Sequence, residues 1–408
     1  MDKQIKYIDN DKTKGVLYDW RYLINETNNI IDRVCHAHSI DPKGIYHIQA
    51  PLDSNVFWYS ENSSRSVGKT TSYLLLGIVA YCHYGLKIEY VRTTRDSVAP
   101  SNARELFTTI LDNDYISEIT GGRWSSVYYK NKEWYLCNID EKGEIEDIDV
   151  NPFCHMHNLQ YGVESTKSTY NSPMGDLVLY DECVPVTGIT TESYWLLLCQ
   201  LLSTITRQRI SCKFILLANT INPHTHLFHE LGIAEELLNM KHGTNKIVNG
   251  LVPVWVNLIQ FTDNKITEKR KVINLSKFGF KNPKLKSITG GGWEIKNYPH
   301  FPRIESQVIG ERVLFDYFGN YLVGEFRNSE IGYSFFIYDG SIDDYKHDRI
   351  VYTLNPPCNK WERYGFTKND NIDRLIKRLM TENKVHFAYN DVASKYYAFL
   401  NELKDGAI

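Results

Sequence analysis

Short apolar runs alternate with segments of helical spacing along roughly the first 235 residues. Short, nearly unbroken apolar runs are typical of buried strands, whereas apolar residues three and four positions apart indicate helices. The predicted strands are NVFWYS (55–60), KIEYVRTT (87–94), DLVLYDE (176–182) and CKFILLANT (212–220). The predicted helices are residues 18–38, 70–84, 101–113 and 193–209. Because these strands alternate with helices, we predict a mainly parallel sheet.

The pattern changes at two places. Polar and aromatic residues alternate between residues 121 and 149, which predicts an antiparallel insertion. Past residue 235 the chain becomes basic and rich in glycine, and from about residue 305 a β-rich segment ends in two helices. We therefore predict an α/β fold in three parts: a first domain at 1–235, a connecting region at 236–304, and a smaller α+β domain at 305–408.

Composition and charge narrow the class of protein. Hydrophobic residues make up 42% and charged residues 23% of the 408, which is ordinary for a folded chain with a sizeable core. Because the formal net charge is −3, a nucleic-acid site must be a local basic patch. The eight cysteines include no CxxC pair and the N-terminus is polar, so a reducing cytosol is expected. The longest apolar run is too short to span a bilayer, so no membrane partner is expected.

A candidate phosphate-binding loop follows the first predicted strand. FWYSENSSRSVGKTTSYLLL (57–76) contains Gly68-Lys69-Thr70, the end of the pattern Gly-x-x-x-x-Gly-Lys-Ser/Thr. In such loops the backbone N–H groups and the helix dipole attract phosphate, the lysine reaches the terminal phosphates, and the threonine ligates Mg²⁺. Ser63 stands where the first glycine is usual, and we expect a conformational cost there, which a different bend with compensation by the Ser63 or Ser64 hydroxyl would offset. The alternative is a surface loop before a core helix.

The second part of the site is predicted downstream, in LVLYDE (177–182). Asp181 would hold the Mg²⁺ shell, and Glu182 would polarise an attacking water as general base. Two acids that merely cap a strand are the alternative, but the order of the motifs favours one joint site for ATP and Mg²⁺. Its expected contacts are Ser64, Arg65, Ser66, Val67, Gly68, Lys69, Thr70, Thr71 and Asp181, with Thr70 and Asp181 at the metal.

Three segments, SSRSVGKTT, LVLYDE and ILLANTINP, resemble the DNA-packaging ATPases of small podoviruses. Those proteins are relatives of the large-terminase motors and of the FtsK–HerA pumping ATPases, and they tolerate a degenerate loop with a basic residue, here Arg65. The resemblance covers about the first 235 residues and rests on layout beyond them. It implies a P-loop (ASCE-type) ATPase domain, followed by a C-terminal domain that resembles an RNase H-like nuclease without catalysis.

The resemblance also implies roles outside the loop. Asn219, with Thr220, would sense the γ-phosphate at the end of a coupling strand; an Asn-Thr turn after a core strand is the alternative. The arginine given to a neighbouring subunit would be Arg207 or Arg209, with Arg209 preferred for its distance from the acidic pair. A solvated helix end is the alternative there. Arg92 is either a phosphate contact or half of an ion pair.

The implied function is ATP-driven packaging of double-stranded DNA into a viral procapsid. The chain would form a homo-oligomeric ring, expected as a pentamer, docked on the portal in the host cytoplasm and absent from the mature virion; use of a packaging RNA is left open. Its basic stretch at 265–286 would suit DNA phosphates or be a solvated linker. The alternatives are a cellular FtsK–HerA-like pump or helicase, a non-hydrolysing nucleotide-binding scaffold, and a terminase with an active nuclease. The carboxylates available to such a nuclease are Asp316, Asp339, Asp343 and Asp344.

Two groups of histidines invite a zinc interpretation. They are CHMH (154–157) and HTHLFH (224–229). Neither has a second ligand pair at a suitable spacing, so we expect local polar clusters instead.

Overall fold

The computed structural model divides the chain into two compact units. The first consists of Met1–Thr187, Tyr194–Thr220 and Leu231–Gly292, and the second of Gly188–Ser193, Ile221–Glu230 and Trp293–Ile408. The structure describes residues 6–7, 16–42, 45–63, 67–93, 99, 103, 105–159, 175–184, 192–206, 209, 211–220, 222–259, 298–344, 349–366 and 370–405. Within these ranges no helix has the length and apolar character needed to cross a membrane.

A ten-stranded sheet organises the first unit, beside a short pair formed by β1 (Lys6–Tyr7) and β2 (Val16–Leu17). Its strands are β3 (Trp58–Ser63), β4 (Ile88–Arg92), β5 (Ser126–Lys130), β6 (Glu133–Ile139), β7 (Ile145–Ile148), β8 (Cys154–Asn158), β9 (Leu177–Asp181), β10 (Lys213–Asn219), β11 (Thr244–Asn249) and β12 (Pro253–Leu258). They lie in the order β11-β12-β3-β10-β9-β4-β8-β6-β5, with β7 paired to β6. The six neighbours from β12 to β8 are all parallel, which confirms the predicted mainly parallel sheet.

The helices follow from capping and from the spacing of apolar residues. They are α1 (Trp20–Ala37), α2 (Lys69–Tyr84), α3 (Thr108–Leu111), α4 (Tyr115–Thr120), α5 (Glu192–Thr206), α6 (His226–Glu230), α7 (Ala234–Asn239), α8 (Asn371–Thr381) and α9 (Asn390–Asp405). At the start of α1, the Asp19 carboxylate accepts a hydrogen bond from the Tyr22 N–H at 3.0 Å. Leu23, Ile30 and Val34 then share its buried face.

Helix α2 packs closely against the sheet. Its residues from Ser72 to Ala80 are all buried, so this helix is apolar around most of its circumference. Gly77 makes the close approach possible, because a Cβ there would lie only 2.1 Å from the Ile88 Cδ1 atom on β4. The helix that begins at the candidate phosphate loop is thereby fixed to the centre of the sheet.

The second unit contains a six-stranded sheet in the order β17-β16-β13-β14-β15-β18. Its strands are β13 (Ser306–Tyr317), β14 (Asn320–Ser329), β15 (Gly332–Asp339), β16 (Val351–Thr353), β17 (Glu362–Arg363) and β18 (Val385–Phe387). The ring of Phe315 packs between those of Tyr352, Tyr396 and Phe399, which ties α9 to the sheet. A β-rich piece closing on two helices was predicted for this region. Its resemblance to an RNase H-like nuclease stays a prediction.

The structure differs from the predicted division of the chain at two places. Strands β11 and β12 lie inside the predicted connecting region, and β12 pairs in parallel with β3, so the large sheet continues past residue 235. The segment Ile221–Glu230 belongs to the second unit, although it lies inside the predicted first domain. The rest of the connecting region from residue 260 to 297, with the basic stretch at 265–286, lies outside the described residues.

Candidate nucleotide site

Three parallel strands end at the same edge of the large sheet, and each carries a predicted site residue there. In the register of β10, Asn219 lies beside Ser63 of β3, and Leu217 lies beside Asp181 of β9. Strand β10, predicted to be the coupling strand, therefore runs between the strand that enters the predicted phosphate loop and the strand that ends in the acidic pair. Ligands bind at the carboxyl ends of strands in open α/β sheets, so this edge is the candidate site.

Gly68 forms the turn from the loop into α2. Its φ of +84° lies in the left-handed region, which a side chain at this position would strain. Directly after it, Lys69 begins the helix with only 6% of the residue exposed. Its ammonium group donates a hydrogen bond to the Ser63 hydroxyl. Burial lowers the pKa of Lys69 to about 8, although Asp181 and Glu61 oppose the shift.

Ser63 is tolerated at the position of the missing glycine because it does not lie in the turn. It is the last residue of β3 and has an extended backbone, so no left-handed torsion is required of it. Our expectation of a conformational cost at Ser63 is therefore wrong. Instead the serine hydroxyl supplies an acceptor for Lys69. The next three residues, Ser64, Arg65 and Ser66, lie outside the described residues.

The threonine and the acid predicted to share a metal ion lie side by side. The Thr70 hydroxyl donates to the Asp181 Oδ1 atom at 3.1 Å. The Tyr90 hydroxyl donates to the other oxygen, Oδ2, at 2.6 Å, and Arg92 Nη2 lies 3.2 Å from that oxygen. Only 4% of Asp181 is exposed, so hydrogen bonds and the ion pair to neighbouring side chains, rather than water, stabilise its carboxylate. Oxygen donors of this kind suit Mg²⁺.

Glu182 follows in a strained backbone conformation. Its φ is +50°, which is unusual for a residue with a side chain, and its side chain is 60% exposed. Arg92 pairs with the Glu182 carboxylate as well as with Asp181. Burial alone would lower the pKa of Arg92, but Tyr90 and the two acids outweigh burial and raise it. Of the two sequence alternatives for Arg92, the structure shows the ion pair.

Asn219 and Thr220, the predicted coupling residues, contact strand β3 directly. The Thr220 N–H donates to the Ser63 carbonyl at 2.9 Å, and Thr220 is buried while Asn219 is half-buried. One strand further along, the Cys183 N–H donates to the Leu217 carbonyl at 3.3 Å. The end of β10 is thus bonded both to the loop side and to the acidic side of the site.

The Arg209 guanidinium is bonded within its own chain. Its Nη1 atom lies 3.0 Å from the Asp176 carboxylate, and its Nη2 atom donates to the carbonyls of Gly175 and Ile205 at 3.0 and 2.6 Å. This network holds the guanidinium within its own subunit with 17% of the side chain exposed, which does not suit an arginine offered to a neighbour. The other candidate, Arg207, lies outside the described residues.

The two histidine groups form local polar clusters. His155 and His157 both contact the buried Glu89 carboxylate, at 3.1 and 2.7 Å. Separately, in the second unit, His224 pairs with Asp391, and His226 lies 3.3 Å from Glu402. Among the residues described, no group of three or more His, Cys, Asp and Glu side chains could hold a metal ion.

Sequence reasoning missed Tyr90 and the interior of β3. Tyr90 precedes Arg92 by two positions, so strand alternation puts both on one face, and that signal was available. In β3 the residues Ser60, Glu61, Asn62 and Ser63 are fully buried. Their polarity had suggested that the strand ends at residue 60.

The first unit is a mixed α/β domain with a large, mainly parallel sheet, and its strand ends carry the candidate nucleotide site. Two solved structures share the fold. The Phi-28 gp11 DNA packaging motor matches 86% of this chain and 96% of its own, with a TM-score of 0.50 and 16% identity. The bacteriophage Phi-29 viral genome packaging motor assembly matches 88% of this chain and 99% of its own, with a TM-score of 0.52 and 14% identity.

No protein-family model and no curated protein matches the chain. At such low identities the similarity of the two structures establishes the fold alone. At that level it confirms the predicted resemblance to DNA-packaging motors, and it extends well beyond the first 235 residues.

Proposed function

We propose that this chain is the ATP-hydrolysing subunit of a viral motor that packages double-stranded DNA. One observation carries the proposal: the Thr70 hydroxyl meets the Asp181 carboxylate beside the buried, cationic Lys69, at the edge where three parallel strands end. The fold shared with two phage packaging motors supports the choice of DNA packaging among the uses of such a site.

The residues present fit ATP with Mg²⁺. The turn at Gly68 would offer backbone N–H groups to the phosphates, and Lys69 would leave Ser63 to bind their terminal oxygens. Thr70 and Asp181 would hold the metal ion. When bound, Mg²⁺ supplies positive charge that offsets the charge developing on the phosphoryl oxygens.

Glu182 is the proposed general base. It is exposed enough to reach a water, but Arg92 holds its carboxylate in an ion pair. Catalysis would require Glu182 to turn away from Arg92 and accept the proton of the attacking water. Asn219 and Thr220 would transmit the change at the phosphates, because their strand is bonded to both sides of the site.

The assembly is proposed as a ring on the portal of a procapsid, with a pentamer as the expected form. Arg207 is now the proposed trans-acting arginine, since Arg209 is committed to Asp176. Arg65 and the basic stretch at 265–286 are proposed contacts for phosphates of ATP and DNA respectively. The ring would act in the host cytoplasm and leave before the virion matures.

The test measures ATP hydrolysis and DNA uptake together. Wild type, Glu182→Ala and Glu146→Ala are compared, because Glu146 is an exposed acid on β7, away from the strand-end edge. We expect wild type and Glu146→Ala to hydrolyse ATP and to protect DNA from nuclease only when empty procapsids are added. Glu182→Ala should bind ATP but lose hydrolysis by at least about 100-fold.

Equal hydrolysis by all three proteins would remove Glu182 from catalysis. Hydrolysis that drives strand separation without procapsids would instead favour a cellular pump or helicase.

A further inference from the structure

The strand that enters the phosphate loop has a polar and fully buried interior. Glu61 lies in the middle of β3 with no exposed surface. Its Oε1 atom accepts hydrogen bonds from the Tyr46 hydroxyl at 2.7 Å and from the Tyr73 hydroxyl at 2.5 Å. Its Oε2 atom accepts from Asn257 of β12 at 2.9 Å. Burying a carboxyl group is unfavourable unless it is fully bonded, so this cluster needs a reason.

Tyr46 connects this cluster to the loop turn. Its backbone N–H donates to the Val67 carbonyl at 3.1 Å, on the loop side of the turn. Its carbonyl accepts from the Ser72 hydroxyl at 2.5 Å, in the first turn of α2. Gly68 lies between these two contacts. A Cβ atom placed on it would lie 3.6 Å from both the Tyr46 backbone nitrogen and the Ile45 Cγ2 atom. One residue therefore braces both ends of the turn that carries Lys69.

We propose that Glu61 and Tyr46 form a positioning pair for the phosphate-loop turn: Glu61 fixes the Tyr46 side chain, and the Tyr46 backbone fixes the turn around Lys69. This inference rests on the proposed nucleotide site. Neither residue touches the nucleotide. They act by keeping Lys69 and its N–H neighbours in the geometry that binds phosphate.

The competing explanation is a buried polar cluster that contributes only to stability. Tyr73 separates the two explanations, because its hydroxyl bonds the same Glu61 oxygen at similar burial. Tyr73 lies within α2, and no backbone hydrogen bond from it to the loop side parallels that of Tyr46 among the described contacts. Tyr46→Phe and Tyr73→Phe each remove a hydrogen bond to the same Glu61 oxygen, and only Tyr46 supports the brace. Tyr46→Phe also removes the longer bond, at 3.3 Å, that the Tyr46 hydroxyl accepts from Asn257.

The experiment measures equilibrium binding of a fluorescent ADP analogue, steady-state ATP hydrolysis and urea denaturation on the full chain. We expect both variants to lose stability, and Tyr46→Phe to lose the more because it also gives up the bond from Asn257. Tyr46→Phe should raise the dissociation constant and KM about threefold to tenfold, the range that one buried hydrogen bond spans, with kcat within about twofold. Tyr73→Phe should leave all three within about twofold. Ser72→Ala, which removes the brace from the helix side, should behave as Tyr46→Phe does.

Equal binding by the two phenylalanine variants, whether both weakened or both normal, would overturn the positioning role and leave the nucleotide site standing. A wild-type protein that binds no nucleotide would overturn the proposed function and this inference with it. A fall in kcat at unchanged KM in Tyr46→Phe would also contradict the inference, because bracing the turn acts on phosphate binding.

Discussion

Nucleotide binding to this protein should weaken as pH rises above 8, because the lysine of the phosphate loop is buried. Burial lowers the pKa of Lys69 from an ordinary 10.5 to about 8. A bound phosphate would favour the charged form and raise that pKa again. Above pH 8 the free protein must therefore take up a proton in order to bind.

The magnitude follows from the two pKa values. At pH 9 about nine-tenths of the free lysine is neutral, and affinity for ADP should fall about tenfold for each further pH unit up to 10.5. The same shift acts on folding. Between pH 8 and 10.5 the unfolded chain binds more protons than the folded chain, so stability rises with pH in that window. Below pH 8 the buried Lys69 stays charged, and this lowers the free energy of unfolding by about 3 kcal/mol relative to a lysine with an ordinary pKa. Bound phosphate would offset this loss of stability.

The assay is calorimetric titration with ADP in EDTA between pH 7 and 9.5, in buffers of different ionisation enthalpy. Lys213→Arg is the matched control, since burial also lowers the pKa of Lys213 to about 8, but this lysine begins β10 and bonds the Ser54 and Val56 carbonyls. That variant should keep the wild-type pH profile. Lys69→Arg should flatten it, because a guanidinium stays charged. Constant wild-type affinity across this range, or binding at pH 9 without proton uptake, would refute the reasoning.

Three further predictions concern stability, each measured by urea denaturation. Glu89→Gln should lose about 3 kcal/mol at pH 7, because the buried carboxylate between two histidines would be replaced by a neutral group. Burial would raise the Glu89 pKa, but the histidine hydrogen bonds lower it well below its ordinary value, so its contribution is complete above about pH 4.3 and fades progressively as pH falls from there toward the depressed folded-state pKa. The stability curves of the two proteins should therefore converge in strong acid. Gly77→Ala should cost about 1–3 kcal/mol by forcing a Cβ against Ile88, and adding Ile88→Val should recover part of it. Arg92→Ala should cost about 1–3 kcal/mol through the lost contact to buried Asp181, and an unchanged midpoint would show that water replaces the arginine.

Much of the first unit could be predicted because its strands are short apolar runs. LVLY and KFILLA became β9 and β10 with boundaries within about two residues, since burial on both faces of a parallel sheet selects such runs. The pair β11 and β12 was missed. Strand β11 is almost entirely exposed, so it carries no apolar signal, and its place at the sheet edge follows from pairing with β12.

The contacts at the site were harder to predict than its motifs. Local order along the chain identified Lys69, Thr70 and Asp181, because each motif is a few residues long. The pairing of Arg209 was not predicted because its partner Asp176 lies at the start of another strand, and no local pattern shows which of two nearby arginines pairs with an internal carboxylate. Pairings across the sheet depend on strand order, which a single sequence does not display.

The serine at the missing glycine and the polar interior of β3 have one physical explanation. A glycine-first loop turns as soon as its strand ends, whereas here the extended strand continues through Ser63 and carries its polar side chains into the sheet. Buried polar groups are stabilised by hydrogen bonds, and two side chains of this strand find partners near the loop: Ser63 accepts from Lys69, and Glu61 accepts from Tyr46 and Tyr73. In this protein the loop therefore does not depend on a flexible glycine at its first position. Hydrogen bonds from the buried side chains of β3 support the turn instead. Substituting glycine at Ser63 would restore the usual motif but remove the hydroxyl that accepts from Lys69 in the absence of nucleotide, so Ser63→Gly should lower the stability of the nucleotide-free protein in urea denaturation.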